Sequence, residues 1–200
     1  MSGYNVRLDR RHDRRALTDD ELSRLIQAAE NGKPVRGMIG HDRAILYRLA
    51  VGTGFRANEI ASLMPESFDL DADPPMVTIE AGYSKHRRKD EQPIRDDLAE
   101  LLRAWLRDKT PCQPVFKMPA QAADLMQADL KAARNSWLDE ACSGEERGER
   151  EKSSFLAYRN SAGLVADFHA LRHTFVSRLV LSGANVNPSY AVVEVKPPWR

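Results

Sequence analysis

Cysteine is almost absent from this sequence. Cys112 and Cys142 are the two in 200 residues, and neither sits in a CxxC pair or a Cys/His ligand spacing. That disfavours a structural zinc site and a disulfide framework, and isolated thiols suit a reducing cytoplasm. Also missing is an apolar run long enough to cross a bilayer. The most apolar window, AILYRLAVGTGF, is interrupted by Arg48, and the arginine-rich start leads into no apolar stretch of the kind a signal peptide needs. Neither a membrane span nor an export signal is expected. Net charge is lacking as well: 30 Lys plus Arg stand against 29 Asp plus Glu. No global field draws the chain to nucleic acid or lipid, so any anion-binding role must come from local clustering. There is no internal repeat.

What is present is enough apolar material, 42% of residues, for an ordinary core. The charge comes in blocks. RLDRRHDRR, residues 7–15, carries five arginines against two aspartates and reads as an exposed basic arm. In TDDELSRLIQAAENG, Thr18 and Glu21 form a capping box, Leu22, Leu25, Ile26 and Ala29 make a stripe, and Gly32 ends the helix. A second helical pattern in HDRAILYRLAVGTG is broken by its glycines, and a third begins near Arg56. MVTIE followed by the basic turn YSKHRRKDE and QPI predicts a small antiparallel hairpin over residues 76–94, with Pro93 at an edge and a cationic tip. Helices are expected at 97–107, at about 120–141 and at about 169–182. Residues 143–154, SGEERGEREKSS, read as a flexible polar loop. The expected fold is mainly α with one small antiparallel sheet.

Chemistry concentrates in FHALRHTF. On a helical wheel Leu171, Phe175, Val176 and Leu179 span one arc, and Arg172 falls within it, so an arginine is carried toward the interior. A buried guanidinium needs an anion, and His169 lies beside it at the helix start, where backbone N–H groups also favour one. A protein carboxylate such as Glu59 or Asp167 is the plain answer. A second arginine, Arg56, follows a glycine-broken turn in TGFRANEIASL with Glu59 one helical turn on, and a lysine-bearing hairpin tip supplies a third element.

In order and combination, TGFRANEIASL, GYSKHRR and FHALRHTF resemble the catalytic domain of tyrosine recombinases, the phage integrase family. The resemblance runs from about Arg11 to Gly183 and includes DRRALTDDELSRLI. It implies that the anion is a scissile DNA phosphate. Arg56 and Arg172 would clamp its nonbridging oxygens, for which planar guanidinium forks are suited. Lys85 would protonate the departing 5′-oxygen, with Lys89 a weaker substitute, and His169 would assist proton transfer and hydrogen-bond the phosphate. Glu59 would orient an arginine, and His173 would serve packing. No metal or cofactor is implied, because a phosphotyrosine stores the bond energy for religation. The implied partner is double-stranded DNA, contacted by Arg10, Arg11, Arg14 and Arg15 of the arm and by Arg87, Arg88 and Lys89 of the tip. The full-length protein would assemble as a tetramer on DNA, in the cytoplasm with the nucleoid.

The sequence departs from that family after the histidine–arginine helix. No histidine follows His173, and the one later tyrosine, Tyr190 in NPSYAVV, stands close to Arg172 in an unfitting local context. The expectation is a fragment: a linker at 1–15, an incomplete catalytic domain at 16–183 and an irregular tail at 184–200, without the nucleophile and without the helical domain that usually precedes this one. The alternatives are a noncatalytic DNA-binding module that kept the phosphate pocket, and a helical interaction protein whose arginines pair internally.

Overall fold

The computed structural model describes residues 13–83 and 89–182. Lys85, Arg87 and Arg88 of the tip, Arg10 and Arg11 of the arm, and Tyr190 lie outside the described residues. The elements are α1 (Asp19–Glu30), α2 (Gly40–Thr53), α3 (Ala57–Ala61), a 3-10 turn (Pro65–Ser67), β1 (Phe68–Asp69), β2 (Met76–Ile79), β3 (Asp90–Pro93), α4 (Asp96–Leu106), α5 (Ala123–Asp139), α6 (Gly144–Lys152) and α7 (Phe168–Leu181).

The capping box forms as read: the Thr18 hydroxyl accepts from the Glu21 amide, and Glu21 reaches back to the Thr18 amide. The buried face of α1 is Leu22, Leu25 and Ala29. In contrast, α2 is buried nearly all round, with Ala44, Ile45, Leu46, Tyr47, Leu49 and Ala50 all in the core. Such a helix has no polar face to present and takes the middle of a layered packing. It accordingly lies between α1 and α7, with α4 also against it, and α5 packs on α1.

Inside this packing is a charge pair that periodicity does not reveal. Arg43 of α2 is fully buried, and its guanidinium meets both oxygens of Asp129 of α5 at 2.9 Å. Arg43 also donates to the Met38 carbonyl, and the Tyr47 hydroxyl donates to Asp129 at 2.7 Å. Both oxygens of this buried carboxylate are thus engaged, which is the condition for tolerating charge in the interior. Burial, then the Asp129 charge, push the Tyr47 hydroxyl well above its ordinary pKa.

The expected antiparallel hairpin is present and gains a strand, whereas the expected loop at 143–154 needs correction. The hairpin is part of a three-stranded antiparallel sheet ordered β1-β2-β3, in which Val77 faces Gln92 and Phe68 faces Val77. Two residues of β1 are too few to display a period. Residues 143–154 do not form a loop: α6 occupies them, capped by Ser143 and stitched by Arg150–Glu146 and Arg147–Glu151 pairs. Glu145 and Glu146 lie in its first turn and Arg150 and Lys152 in its last, a placement that a helix dipole favours, and Arg134 holds its far end through the carbonyls of Glu151 and Ser153.

The exposed arm is corrected at its described end. The Asp13 carbonyl accepts from Val165 and the Arg15 amide donates to Val165, so the backbone here already belongs to the domain. The Arg15 side chain lies on Glu21 at 2.7 and 2.8 Å and is 12% exposed. Arg15 is therefore spent on holding α1 to the 155–158 turn, since Glu21 also accepts from the Leu156 amide.

Candidate active site

Three pieces of chain meet at one end of α2 and α7. The first is the turn after α2. Gly54 caps α2 in the left-handed region, φ 69°, where a side chain is disfavoured, and the ring of Phe175 from α7 occupies the space a Cβ would need. This close approach brings the turn and α7 together. The chain then extends through Arg56, which stands at the N-cap of α3.

Arg56 is held by its neighbour. Glu59, 7% exposed, accepts the Arg56 backbone amide at 2.7 Å through one oxygen and the Arg56 guanidinium at 2.8 Å through the other. That leaves the remaining guanidinium N–H groups of Arg56 unoccupied by Glu59 and aimed by it, so the carboxylate acts as a brace.

The second piece is the start of α7. Asp167 is its N-cap and accepts from the Ala170 amide, which places His169 in the first turn and Arg172 one turn later. The Arg172 guanidinium is half-buried and donates to the Gly54 carbonyl. Among the described residues it has no carboxylate partner, because Glu59 is on Arg56 and Asp167 is on Arg14. The plain carboxylate answer for Arg172 thus fails. Burial and then the neighbouring positive charge of Arg56 lower the Arg172 pKa, and Glu59 opposes them only in part. Two guanidinium groups are close enough to repel.

The third piece is the start of α5. Ala123 joins Phe55, Arg56, Ala57, Asp167, Phe168 and His169 around a cleft of about 200 Å³. His169 has its pKa lowered to about 4, chiefly by burial, then by the charges of Arg14 and His173, against the opposing pull of Asp167. It is a neutral imidazole at neutral pH, able to donate and accept. His173 lies edge-on to it, with ring centroids 5.5 Å apart.

The structure therefore brings together Arg56, Glu59, His169, Arg172 and His173. Lys85 lies outside the described residues, and Lys89 is exposed at the hairpin, paired with Glu91 at 2.7 Å. Arg14 was read as part of a DNA-contacting arm, but its Nε lies 2.9 Å from both Asp167 oxygens, beside His169. Residues 14 and 167 are too distant in sequence for spacing to show this. Arginine cannot be neutralised at ordinary pH, so the cluster holds three guanidinium groups against two carboxylates, with a concave wall and an adaptable imidazole. Such a site can bind an oxyanion through planar, fixed-charge donors and move a proton near it. Among the described residues no group of His, Cys, Asp and Glu could hold a metal ion, and no helix is long and apolar enough to cross a membrane.

Residues 15–188 match the phage integrase family. Over 172 residues the chain is 25% identical to the tyrosine recombinase XerA of Thermococcus kodakarensis, an alignment covering 86% of this chain and 51% of that protein. The chain thus spans about half the length of that curated relative. The catalytic domain of bacteriophage HP1 integrase superposes with a TM-score of 0.54 at 17% identity, over 93% of this chain and 83% of the other. The Tn1549 transposon integrase in complex with transposon right end DNA gives a TM-score of 0.57 at 14% identity, over 92% and 58%. At such identities the likeness establishes the fold, a mostly helical domain with a small antiparallel sheet.

Proposed function

This chain belongs to the phage integrase family of tyrosine recombinases, and from that premise we propose that it serves site-specific DNA recombination by transesterification at a phosphodiester. One observation supports this reading most. Arg172 is half-buried beside a second guanidinium, with a carbonyl and no carboxylate to meet it. A half-buried guanidinium that has no carboxylate of its own and stands beside a second cation is costly unless an anion completes it, and a DNA phosphate does so with two planar forks on its nonbridging oxygens.

In this reading Arg56, aimed by Glu59, and Arg172, anchored on Gly54, stabilise the charge that grows on those oxygens as the phosphorus becomes five-coordinate. A tyrosine hydroxyl attacks the phosphorus, the new phosphotyrosine bond forms, and the bond to the 5′-oxygen breaks. Lys85 gives the leaving oxygen its proton, and neutral His169 hydrogen-bonds the phosphate and carries the tyrosine proton. An anion bound beside His169 raises its pKa from the low resting value, which makes it a better base when substrate is present. The catalytic domain is residues 16–183, and a tetramer on double-stranded DNA is the working assembly of the full-length protein.

Among the described residues no tyrosine lines the cleft. Tyr47 is buried on Asp129, and Tyr83 and Tyr158 are not among the lining residues. We read Tyr190 as an unsuitable nucleophile, so these 200 residues bind a DNA phosphate without cleaving beside it.

The test is a fluorescent duplex titrated at rising salt, together with a nicked suicide substrate. Binding is expected to weaken steeply with salt, each phosphate contact contributing about 0.9 to the log–log slope. Arg172→Ala is expected to lower that slope by about 1. Substituting Lys85, Arg87, Arg88 and Lys89 is expected to lower it further. No covalent adduct is expected from this chain. Salt-independent binding would count against the phosphate site, and an adduct mapped to Tyr190 would make this chain itself cleavage-competent.

A further inference from the structure

The chain leading into α1 is tied both to α7 and to the residues just before it. The Arg15 amide donates to the Val165 carbonyl at 3.2 Å, and the Val165 amide donates to the Asp13 carbonyl at 2.9 Å. The Leu17 amide donates to the Thr174 hydroxyl at 2.9 Å, and Arg178 pairs with Asp19. Within this strap Arg14 forms the parallel bridge with Val165, and its side chain turns onto Asp167 with Nε 2.9 Å from each carboxylate oxygen. Asp167 in turn caps α7 through the Ala170 amide and lines the cleft with His169. One carboxylate thus carries two loads: it starts the helix, and it is a negative charge inside a site built for an anion.

We propose that Arg14 is a positioning residue of the phosphate site: by clamping Asp167 it fixes the start of the helix bearing His169 and Arg172, and it cancels a carboxylate charge that would otherwise repel the bound phosphate. This rests on the function proposed above. The geometry explains why a cation is needed there. A carboxylate at an N-cap strengthens a helix, yet an unpaired one beside an oxyanion works against binding. An arginine on its outer side keeps the cap and removes the charge, and because it comes from the strap rather than from α7 it links the leading segment to the site. Arg14 in this position acts through Asp167, not through direct contact with a DNA backbone.

The groups that set the charge of His169 come from more than one element. Arg14 comes from the strap, Asp167 from the N-cap of α7, and Arg172 and His173 from α7 itself; Arg56, from the turn after α2, lines the same cleft. With Arg14 removed, a cation is lost and Asp167 acts unopposed, so both changes favour protonated His169.

The test is the titration of His169 in the full chain by NMR, its signal among the five histidines assigned by loss in His169→Gln. In Arg14→Met the midpoint is expected to rise from about 4 by about one unit. Arg14→Lys should return most of that shift, and adding Asp167→Asn to Arg14→Met should bring the midpoint back down. Should Arg14→Met fail to fold, Arg14→Gln makes the same test with a neutral side chain that can still hydrogen-bond Asp167. An unmoved or lowered midpoint in the neutral variants, or an equal rise in Arg14→Lys, overturns the proposal. Both are read in the free protein, so they stand apart from whether the cleft binds phosphate, which the salt titration of Arg172→Ala decides.

Discussion

Replacing Asp129 by alanine should be among the most damaging single changes in this domain. The carboxylate is buried at 3% exposure, and three donors converge on it: two from the fully buried Arg43 and one from Tyr47. Its removal leaves a cation in the core with only the Met38 and Ala29 carbonyls, and leaves a hydroxyl unpaired. Breaking a buried pair from one side costs about 3–5 kcal/mol. For a chain of this size each kcal/mol shifts the melting temperature by about 2–4 °C, so a fall of roughly 6–20 °C is expected. The reverse half of the prediction is sharper. Arg43→Met combined with Asp129→Leu removes both charges and should recover most of the loss. The unpaired Tyr47 hydroxyl should hold back about 1–3 kcal/mol, which adding Tyr47→Phe should release. Urea unfolding of the single, double and triple variants measures this directly. The reasoning is refuted if Asp129→Ala lies within about 1 kcal/mol of the parent, or if the double variant is no better than the single. The pair also bears on function, because it ties α2, which leads into Gly54 and Arg56, to α5, which brings Ala123 to the cleft.

Gly54→Ala should destabilise the domain and weaken duplex binding together, because the φ of 69° disfavours any side chain and a Cβ would displace Phe175 or the turn carrying Arg56; denaturation and anisotropy on the same variant check it, and intact binding would show that the turn does not position Arg56. Stability should fall as pH drops from about 6.5 toward 4, since His169 stays neutral in the folded chain while its unfolded counterpart takes up a proton near 6.5. His169→Gln should reduce the slope of the unfolding free energy across that window and leave the part that His173 contributes, since its pKa is also lowered, chiefly by burial, and an unchanged slope would remove His169 as a source. Below it, Glu21 adds a second acid limb. Burial alone would raise its pKa, but hydrogen bonds from Arg15, Thr18 and Leu156 more than offset this and hold the pKa below its ordinary value, so its contribution is lost as pH falls through the folded value.

Much of the fold could be read from one-faced periodicity. The stripe of α1 and the faces of α4 and α5 are apolar on one side and buried there. What escaped the reading has physical causes. Arg43 and Asp129 each look like a polar interruption in a helix, and only packing of segments 86 residues apart makes them a pair. The misread α6 is held by side-chain pairs and caps with no buried residue of its own, so hydrophobic pattern carries no signal for it. At the site, Arg56, His169 and Arg172 were legible because their motifs are local, and the brace by Glu59 follows from its three-residue spacing. The docking of Arg14 on Asp167 was not legible, since it depends on a strap crossing from the start of the described chain to α7. An arginine in a basic block looks the same in sequence whether it faces solvent or a carboxylate.

The central claim is that one phosphate lies between Arg56 and Arg172. The direct measurement is the pair of arginine Nε–H resonances, assigned by Arg56→Lys and Arg172→Lys, followed by NMR as inorganic phosphate and then a nicked duplex are added. The account predicts that both resonances move together along one saturation curve with either probe, and that Arg172→Lys weakens the response of Arg56. Duplex binding that leaves both guanidinium resonances unmoved would contradict it.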